Sequence, residues 1–214
     1  MKLYTYFRSS AAYRVRIALH LKGLAFDSVP VHLLRESGQQ HAAAYAALNP
    51  NETVPTLDDD GQILTQSLAI IEYLDETHPS PPLLPGSAAD RARMRAIAQT
   101  IASDIHPINN LRVLQHLTHS FDLSETQKSA WYCHWVDRGL QTVEKMLARD
   151  PRTGRFCHGD APTLADCCLV PQVFNARRFG CSLAGLSTVL RICAECEELE
   201  AFRRAAPQHQ PDAE

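Results

Sequence analysis

Cysteine is absent from the first 132 residues of this 214-residue chain, and all seven cysteines lie between Cys133 and Cys196. An odd number confined to one half of the chain is unlike the disulfide framework of a secreted protein. Cys193 and Cys196 form a CxxC, but the Glu-rich helical pattern around them favours packing over redox chemistry. The other cysteines and the histidines do not have the spacing of zinc ligands, so the sequence predicts no metal site.

Long apolar runs and basic clusters are also missing. No apolar run approaches the roughly 20 residues of a membrane-spanning helix, and the first residues have a strand pattern instead of an export signal. The formal net charge is −3, and no basic patch interleaved with aromatic residues argues for nucleic-acid binding. With 45% hydrophobic residues, we expect a cytoplasmic globular protein that binds neither membranes nor nucleic acid.

The first part of the chain alternates between strand and helix patterns. The predicted strands cover residues 3–7, 26–33, 53–57 and 62–66, and the predicted helices cover residues 12–22, 41–47 and 68–78. Asp60 and Gly61 provide a hairpin turn between the last two strands. This order predicts a small α/β sheet with a hairpin at its end.

A proline-rich passage near residue 80 separates this part from one that is helical throughout. We predict an α/β domain at residues 1–80, a linker at 81–88 and an all-helical domain at 89–214. Thr163 and Asp166 have the spacing of a helix N-cap and its capping-box partner. The tail, AAPQHQPDAE, is polar and interrupted by prolines, so we expect it to lie at the surface.

Arg8, Ser9 and Ser10 lie where the first strand pattern gives way to the first helix pattern. The start of a helix has free backbone N–H groups and a partial positive charge, so hydroxyls and arginines there can hold an anion. The residues by themselves favour the simpler interpretation, in which a serine only caps the helix.

Two further segments allow a structural and a functional interpretation. Val54-Pro55 interrupts a strand pattern, which indicates either an edge-strand proline or a tight, cis X-Pro bond that leaves Val54 able to pair with an extended ligand. Gln66 and Ser67 precede a helix pattern, where Ser67 is either a cap or, with Gln66, a carboxylate-binding pair.

These motifs together resemble the zeta class of the glutathione transferase superfamily. RSSAAYRVRIAL at residues 8–19 is similar to the class signature, whose usual form is Ser-Ser-Cys-x-x-Arg-Val-Arg, and the similarity extends over essentially the whole chain. The other similar segments are GQQ at 38–40, ALNP at 47–50, VPTL at 54–57, QSLAIIEYL at 66–74, TLADCCLVPQVFNARRF at 163–179, and QPD near the end. The resemblance implies a thioredoxin-like α/β N-terminal domain followed by an all-α C-terminal domain, and a homodimer.

The resemblance also implies glutathione as cofactor and a glutathione-dependent cis-trans isomerisation of maleylacetoacetate or maleylpyruvate. Its thiol would lie over Ser9 and, secondarily, Ser10. The remaining glutathione-binding residues implied are Gln40, Val54, Pro55, Gln66, Ser67 and His106. Ala11 replaces the usual cysteine of the signature and Tyr13 its tryptophan, so the reactive thiol must come from glutathione itself.

Such a substrate is an oxo-diacid, and arginine binds carboxylates well through its planar, bidentate fork. The candidate substrate-binding arginines are Arg8, Arg14, Arg112, Arg177 and Arg178, and Arg8 and Arg178 join the two serines as candidate catalytic residues. Arg178 has the position of the carboxylate-binding arginine in the class, and the pair with Arg177 tilts the prediction slightly towards maleylpyruvate. Each arginine could instead form an ordinary surface ion pair, and His106 could simply pack.

Two alternatives stay open at this point. A general glutathione transferase would use the same thiolate but keep the adduct with small electrophiles such as haloacids. A binding or regulatory protein with a vestigial site would not need the full set of site residues, and their presence in the sequence argues against it.

Overall fold

The computed structural model describes all 214 residues, Met1–Glu214. They form two compact units, one of Met1–Leu84 with Glu197–Glu214 and the other of Pro85–Cys196. The domain limits of 1–80, 81–88 and 89–214 remain predictions from the sequence. The compact units divide between Leu84 and Pro85, within the predicted linker, and residues 197–214 lie with the first unit.

A four-stranded sheet with the strand order β2-β1-β3-β4 forms the centre of the first unit. Its elements are β1 (Lys2–Thr5), α1 (Ser10–Leu21), β2 (Asp27–Pro30), α2 (Ala43–Leu48), β3 (Thr56–Asp59), β4 (Gln62–Thr65) and α3 (Ser67–Thr77). Strand β1 is parallel to β2 and antiparallel to β3, and β3 and β4 form the hairpin. The predicted order of strands and helices is confirmed.

Helices α1 and α3 pack against each other and supply much of the core of this unit. Their fully buried side chains include Val15, Ile17, Leu19, Ile70, Ile71 and Leu74. Burying one side chain of this size contributes about 1.5–3 kcal/mol. Both helices are therefore anchored in the core, and both helix starts carry predicted site residues.

The second unit is helical throughout, which confirms the predicted all-α part. Its longer helices are α4 (Ala88–Gln99), α5 (Leu111–Phe121), α6 (Glu125–Ala148), α7 (Leu164–Arg178) and α8 (Ser187–Glu197), whose last residue belongs to the first unit. A π-helical segment, Thr100–Ile105, continues α4. None of the helices is both long and apolar enough to span a membrane.

Close packing of α6 against the π-helical segment depends on Gly139. A Cβ atom at this position would lie 2.2 Å from the Ile105 side chain, a separation that no side chain can occupy without displacing its neighbour. Helix α4 ends at Gln99 and gives way to the π-helical turn.

The capping box at the start of α7 is confirmed and completely buried. Asp166 accepts hydrogen bonds from the Thr163 N–H and hydroxyl, each at 2.8 Å, and from the Cys157 N–H at 2.8 Å. Burial raises the pKa of Asp166, and these hydrogen bonds act in the opposite direction. The carboxylate thus ties the preceding loop to α7.

A disulfide joins Cys133 on α6 to Cys181, which follows α7, with their Cα atoms 5.0 Å apart. The sequence gives no signal for this pairing, because the two residues are 48 positions apart. The other five cysteines are buried. Cys193 and Cys196 are both 0% exposed, in agreement with the predicted packing role.

The tail meets the expectation of a surface position only in part, because Gln208, His209, Pro211, Ala213 and Glu214 are exposed while other tail residues are buried. After α9 (Glu200–Ala205), which packs on α1, Ala206, Pro207 and Gln210 are buried. The Gln210 amide donates to the carbonyls of Arg204 and Ala206, at 2.8 and 2.9 Å. The prediction assumed that polar residues lie at the surface, but a polar side chain can be buried when its hydrogen bonds are satisfied, as those of the Gln210 amide are by backbone carbonyls.

Candidate active site

The strand register gathers several predicted site residues at one edge of the sheet. Tyr4 of β1 pairs with Thr56 of β3, and Thr56 pairs with Thr65 of β4. The end of β1, the start of β3 and the end of β4 therefore meet. Ser9 follows Tyr4 by five residues, Val54 precedes Thr56 by two, and Ser67 follows Thr65 by two. All three residues therefore lie near this edge.

Ser9 is the N-cap of α1. Its backbone is extended, and its Oγ accepts a hydrogen bond from the Ala12 N–H at 3.2 Å. Because the oxygen accepts this bond, the hydroxyl proton stays able to point away from the helix. Ser9 is half-buried, whereas Ser10 is 4% exposed. The two predicted serines therefore differ in access, and Ser9 is the accessible one.

Arg8 precedes this cap and is half-buried. Its guanidinium carbon lies 4.7 Å from the centre of the Phe7 ring, a cation–π distance. This contact keeps a positive charge beside the start of α1.

Arg14 is buried, whereas a residue that binds substrate directly must be accessible. The sequence predicts a substrate-binding arginine here, but the residue is 1% exposed, and its Nη1 donates to the Ser67 hydroxyl at 3.2 Å. Arg14 therefore supports Ser67 from inside the protein and joins the starts of α1 and α3.

Gln66 and Ser67 form the approach to α3. Gln66 is exposed and has φ of 68°, a left-handed backbone value that is uncommon for residues other than glycine and that clusters at functional sites. Ser67 is the first residue of the helix and is 6% exposed. The free N–H groups of this helix start can receive a carboxylate.

Val54 and Pro55 are joined by a cis peptide bond, as the tight-turn interpretation predicts. The loop before them is held by the Thr53 carbonyl, which accepts hydrogen bonds from the Tyr45 hydroxyl at 2.6 Å and the Asn49 amide at 2.7 Å. Burial raises the pKa of Tyr45. Strand β3 begins at Thr56, so Val54 lies just before the ladder.

Gln40 lies in a short segment after β2 and is 7% exposed. Its amide nitrogen is 2.9 Å from Nε2 of His41, and its Oε1 is buried without a hydrogen-bond partner in the chain. Gly38 has φ of 98°, and a Cβ there would lie 2.6 Å from the Gln40 side chain. Gly38 thus makes room for the Gln40 side chain.

The remaining predicted residues lie in the second unit. His106 follows the π-helical segment, is half-buried, and has Nε2 3.4 Å from the Asn110 amide. Arg112 is exposed in the first turn of α5. Arg177 and Arg178 are exposed in the last turn of α7, where positive charge suits the helix dipole.

Arg178 lies on an aromatic pair. Its guanidinium carbon is 4.6 Å from the centre of the Phe179 ring, and Phe179 stacks on Tyr132 with ring centres 3.7 Å apart. Burial raises the pKa of Tyr132 to about 12, and the charge of Arg178 opposes this shift. The stack restricts where the Arg178 fork can lie.

Comparisons with known proteins agree with this architecture. Two family models match the chain, the glutathione S-transferase N-terminal domain over residues 3–82 and the C-terminal domain over residues 136–205. A probable maleylacetoacetate isomerase of Vibrio cholerae is 51% identical over 211 residues, which cover 99% of this chain and 97% of that protein. A holo structure of a maleylpyruvate isomerase, described as a bacterial zeta-class glutathione S-transferase, is 48% identical, covers 100% of both chains and has a TM-score of 0.97.

The chain belongs to the zeta-class glutathione transferase family. A further similar structure is the maleylacetoacetate isomerase of Methylobacterium extorquens, solved with bound malonate and glutathione, at 43% identity and a TM-score of 0.96 over 100% of both chains. The fold implied by the resemblance, a thioredoxin-like domain followed by a helical domain, is therefore confirmed for this glutathione transferase.

Two residues near Ser9 in this glutathione transferase have no counterpart in the sequence prediction. Arg16 is 0% exposed and donates hydrogen bonds to the chain just before Ser9, and Asp212 accepts the Phe7 N–H at 2.9 Å. The string RVR marks Arg16 in the sequence, and QPD marks Asp212. Neither motif indicates that the two segments meet.

Proposed function

We propose that this glutathione transferase is a glutathione-dependent cis-trans isomerase that converts maleylpyruvate or maleylacetoacetate to the fumaryl isomer during catabolism of aromatic compounds. The observation that carries the proposal is the accessible Ser9 hydroxyl at the start of α1, at the same sheet edge as Val54 and Ser67. The names of the three similar proteins reported above support the same activity.

The residues at this edge fit glutathione in its chemical groups. The start of α3, with Gln66 and Ser67, suits the carboxylate of the γ-glutamyl end. Val54 and Pro55 suit the backbone-like middle, because a bent chain before a strand can pair with an extended peptide. The buried Oε1 of Gln40, which has no partner in the chain, suits the N–H donors near the glycyl end, and we assign His106 to the same end.

Bound glutathione supplies the thiolate that adds reversibly to the cis double bond, which allows rotation before the thiolate leaves. Ser9 donates its hydroxyl proton to the sulfur, and Ser10 supports it from the first turn of the helix. Both this donation and the positive end of α1 lower a thiol pKa that starts near about 8.5. Ala11 has no group that could take over the role of the thiol.

The arginines bind the two carboxylates of the substrate and stabilise charge on its keto oxygen. We assign Arg178 to a substrate carboxylate, because its fork is restrained on Phe179, and Arg8 to the region beside the thiol. Arg112 and Arg177 are weaker candidates for the same task. A fork held in place loses less entropy on binding a carboxylate than a mobile one does.

We further propose that the protein works in the cytoplasm as a homodimer. The absence of cysteine from the first 132 residues supports the location. The similarity to the zeta class along the whole chain supports the dimer, and sedimentation equilibrium at micromolar concentration tests it.

The decisive experiment incubates the protein with maleylpyruvate or maleylacetoacetate, with and without glutathione, and follows the cis isomer by ultraviolet absorbance. We expect loss of the cis isomer only with glutathione, and the total thiol concentration should stay constant because the coenzyme is regenerated. If the cis isomer is not lost in a glutathione-dependent way, the proposal is wrong. Steady consumption of thiol with a haloacid, and none of the isomerisation, favours the alternative transferase.

A further inference from the structure

Residues from the two ends of the sequence meet at the turn before Ser9. The Phe7 N–H donates to Oδ2 of Asp212 at 2.9 Å, and the Phe7 carbonyl accepts from Nη2 of Arg16 at 3.0 Å. Both peptide groups of Phe7 are therefore held by side chains. The Ser9 N–H donates to the Tyr6 carbonyl at 2.9 Å. This hydrogen bond closes the turn that contains Phe7 and leads to the N-cap.

Arg16 connects this turn to the C-terminal part of the chain. Its Nη1 donates to the Thr5 hydroxyl at 3.0 Å and to the Tyr6 carbonyl at 3.3 Å, while its Nε donates to the Ala205 carbonyl at 2.9 Å. Burial lowers the pKa of Arg16 to about 10, and the charge of Asp212 is among those that oppose the shift. At neutral pH Arg16 is therefore a buried cation with Asp212 among its balancing charges.

The tail around Asp212 is fixed on both sides. Before Asp212, the Gln210 amide donates hydrogen bonds to backbone carbonyls of α9 and the residue after it. After Asp212, the Glu214 carboxylate binds Arg35 and lies 3.2 Å from Nε2 of His32. The His32 N–H donates to Oε1 of Gln39 at 2.8 Å, directly before Gln40. One short tail thus touches both the Ser9 turn and the segment that leads to Gln40.

We propose that Asp212, together with Arg16, is a positioning residue that holds the Ser9 hydroxyl where it can donate to the glutathione sulfur. This inference rests on the proposed function. A hydrogen bond to sulfur weakens steeply when its donor is displaced or misaligned. Removing the acceptor for the Phe7 N–H leaves a peptide donor unsatisfied and a buried arginine with less opposing charge, and the turn then loses its fixed geometry.

The test compares Asp212→Ala with Asp212→Asn in the full-length protein. Asparagine keeps an oxygen that can accept the Phe7 N–H, whereas alanine does not. For Asp212→Ala we expect the pKa of bound glutathione, followed by thiolate absorbance against pH, to rise by about half to one unit. We also expect kcat to fall about five- to tenfold and amide exchange at Phe7 to accelerate, with most of each effect rescued in Asp212→Asn.

Gln208→Ala is the matched control, because Gln208 is an exposed residue of the same tail, and it should leave all three measurements unchanged. An unchanged thiol pKa in Asp212→Ala, with only a lower melting temperature, overturns the inference, because the residue is then merely structural. Equal losses in the two Asp212 variants overturn the role of the Phe7 hydrogen bond. Wild-type protein that binds glutathione but does not isomerise the diacids refutes the proposed function alone, while absence of glutathione binding refutes both.

Discussion

A serine at the N-cap of a helix can stabilise the helix and still offer its proton to a ligand, and Ser9 has the geometry for both. Ser9→Ala should lower the free energy of unfolding by about 1 kcal/mol through loss of the cap. It should also move the pH–rate profile to higher pH by about one unit, because the thiol loses a hydrogen bond that favours its anion. Stopped-flow assays across pH 6–9 and thermal melts check the two effects separately.

Ser87→Ala is a matched control for this variant, since Ser87 is also a helix N-cap, at the start of α4, where its hydroxyl accepts from the Asp90 N–H. It should reduce stability to a similar extent and leave the pH–rate profile in place. A profile that does not move in Ser9→Ala counts against the catalytic role of the hydroxyl.

Arg178 is expected to act on the substrate and not on glutathione. Arg178→Ala should raise the KM for the oxo-diacid about ten- to a hundredfold, the effect of losing hydrogen bonds between charged groups. The KM for glutathione should change little. Steady-state kinetics with each substrate varied in turn measure both constants, and the exposed Arg149 gives a control substitution, Arg149→Ala.

Parallel increases in both constants for Arg178→Ala would show that the arginine acts through the structure of α7. Equal constants in wild type and variant would transfer the carboxylate-binding role to the other candidates.

Single residues were predictable where chemistry and local sequence coincide. The sequence predicts Ser9, Val54-Pro55 and Ser67 as site residues because each lies at a strand or helix end with a recognisable residue pattern. Their roles stay predictions. The roles of Arg16 and Asp212 were not predicted, because these residues are 9 and 205 positions from Phe7, to which they are hydrogen-bonded. No sequence periodicity indicates such a contact.

At the scale of whole elements, the beginning of α7 differs from the other capped helix starts in its burial. Asp166→Ala should lower the free energy of unfolding by about 2–4 kcal/mol, because it leaves two buried N–H groups without an acceptor and removes the capping box. Ser124→Ala, at the exposed capping box that begins α6, should cost only about 1 kcal/mol. Urea denaturation of the two variants provides the comparison, and equal losses would contradict the importance of burial.

Element order was predictable, and element limits were less so. Strand β3 begins at Thr56, not at residue 53, because Pro55 has no N–H to donate to the ladder. The π-helical segment after α4 could not be foreseen, since it depends on how Ile105 packs on Gly139 of a different helix. Caps and turns act locally and are legible in sequence, whereas distortions inside helices come from tertiary packing.

For the molecule as a whole, His20 makes stability depend on pH. Burial lowers its pKa from 6.5 to about 4, helped by the charges of Arg204 and Arg16. A pKa depressed in the folded state means that the unfolded chain binds the proton more readily. Stability should therefore be complete above about pH 6.5 and decrease as the pH falls towards 4. The melting temperature of His20→Gln should fall less than that of the wild type between pH 6.5 and 4, with the exposed His119→Gln as control.

The disulfide between Cys133 and Cys181 gives a second property of the whole fold. Closing a loop of 48 residues stabilises the folded state by up to about 4 kcal/mol through the entropy of the unfolded chain. We expect the melting temperature to fall on addition of a reductant, and the denatured protein to titrate five thiols before reduction and seven after it. Cys133→Ser should lack the response to reductant, and seven thiols without reduction would contradict the pairing.

The five remaining cysteines are all buried, and this has a consequence for toxicology and for labelling. Thiol-alkylating agents find no accessible free thiol on the folded chain, so a maleimide added to the protein with glutathione reports on the coenzyme alone. An enzyme with its own nucleophilic cysteine is lost permanently to such a reagent. Here the damaged sulfur would leave with its tripeptide, and a fresh molecule from the cellular pool would restore the site.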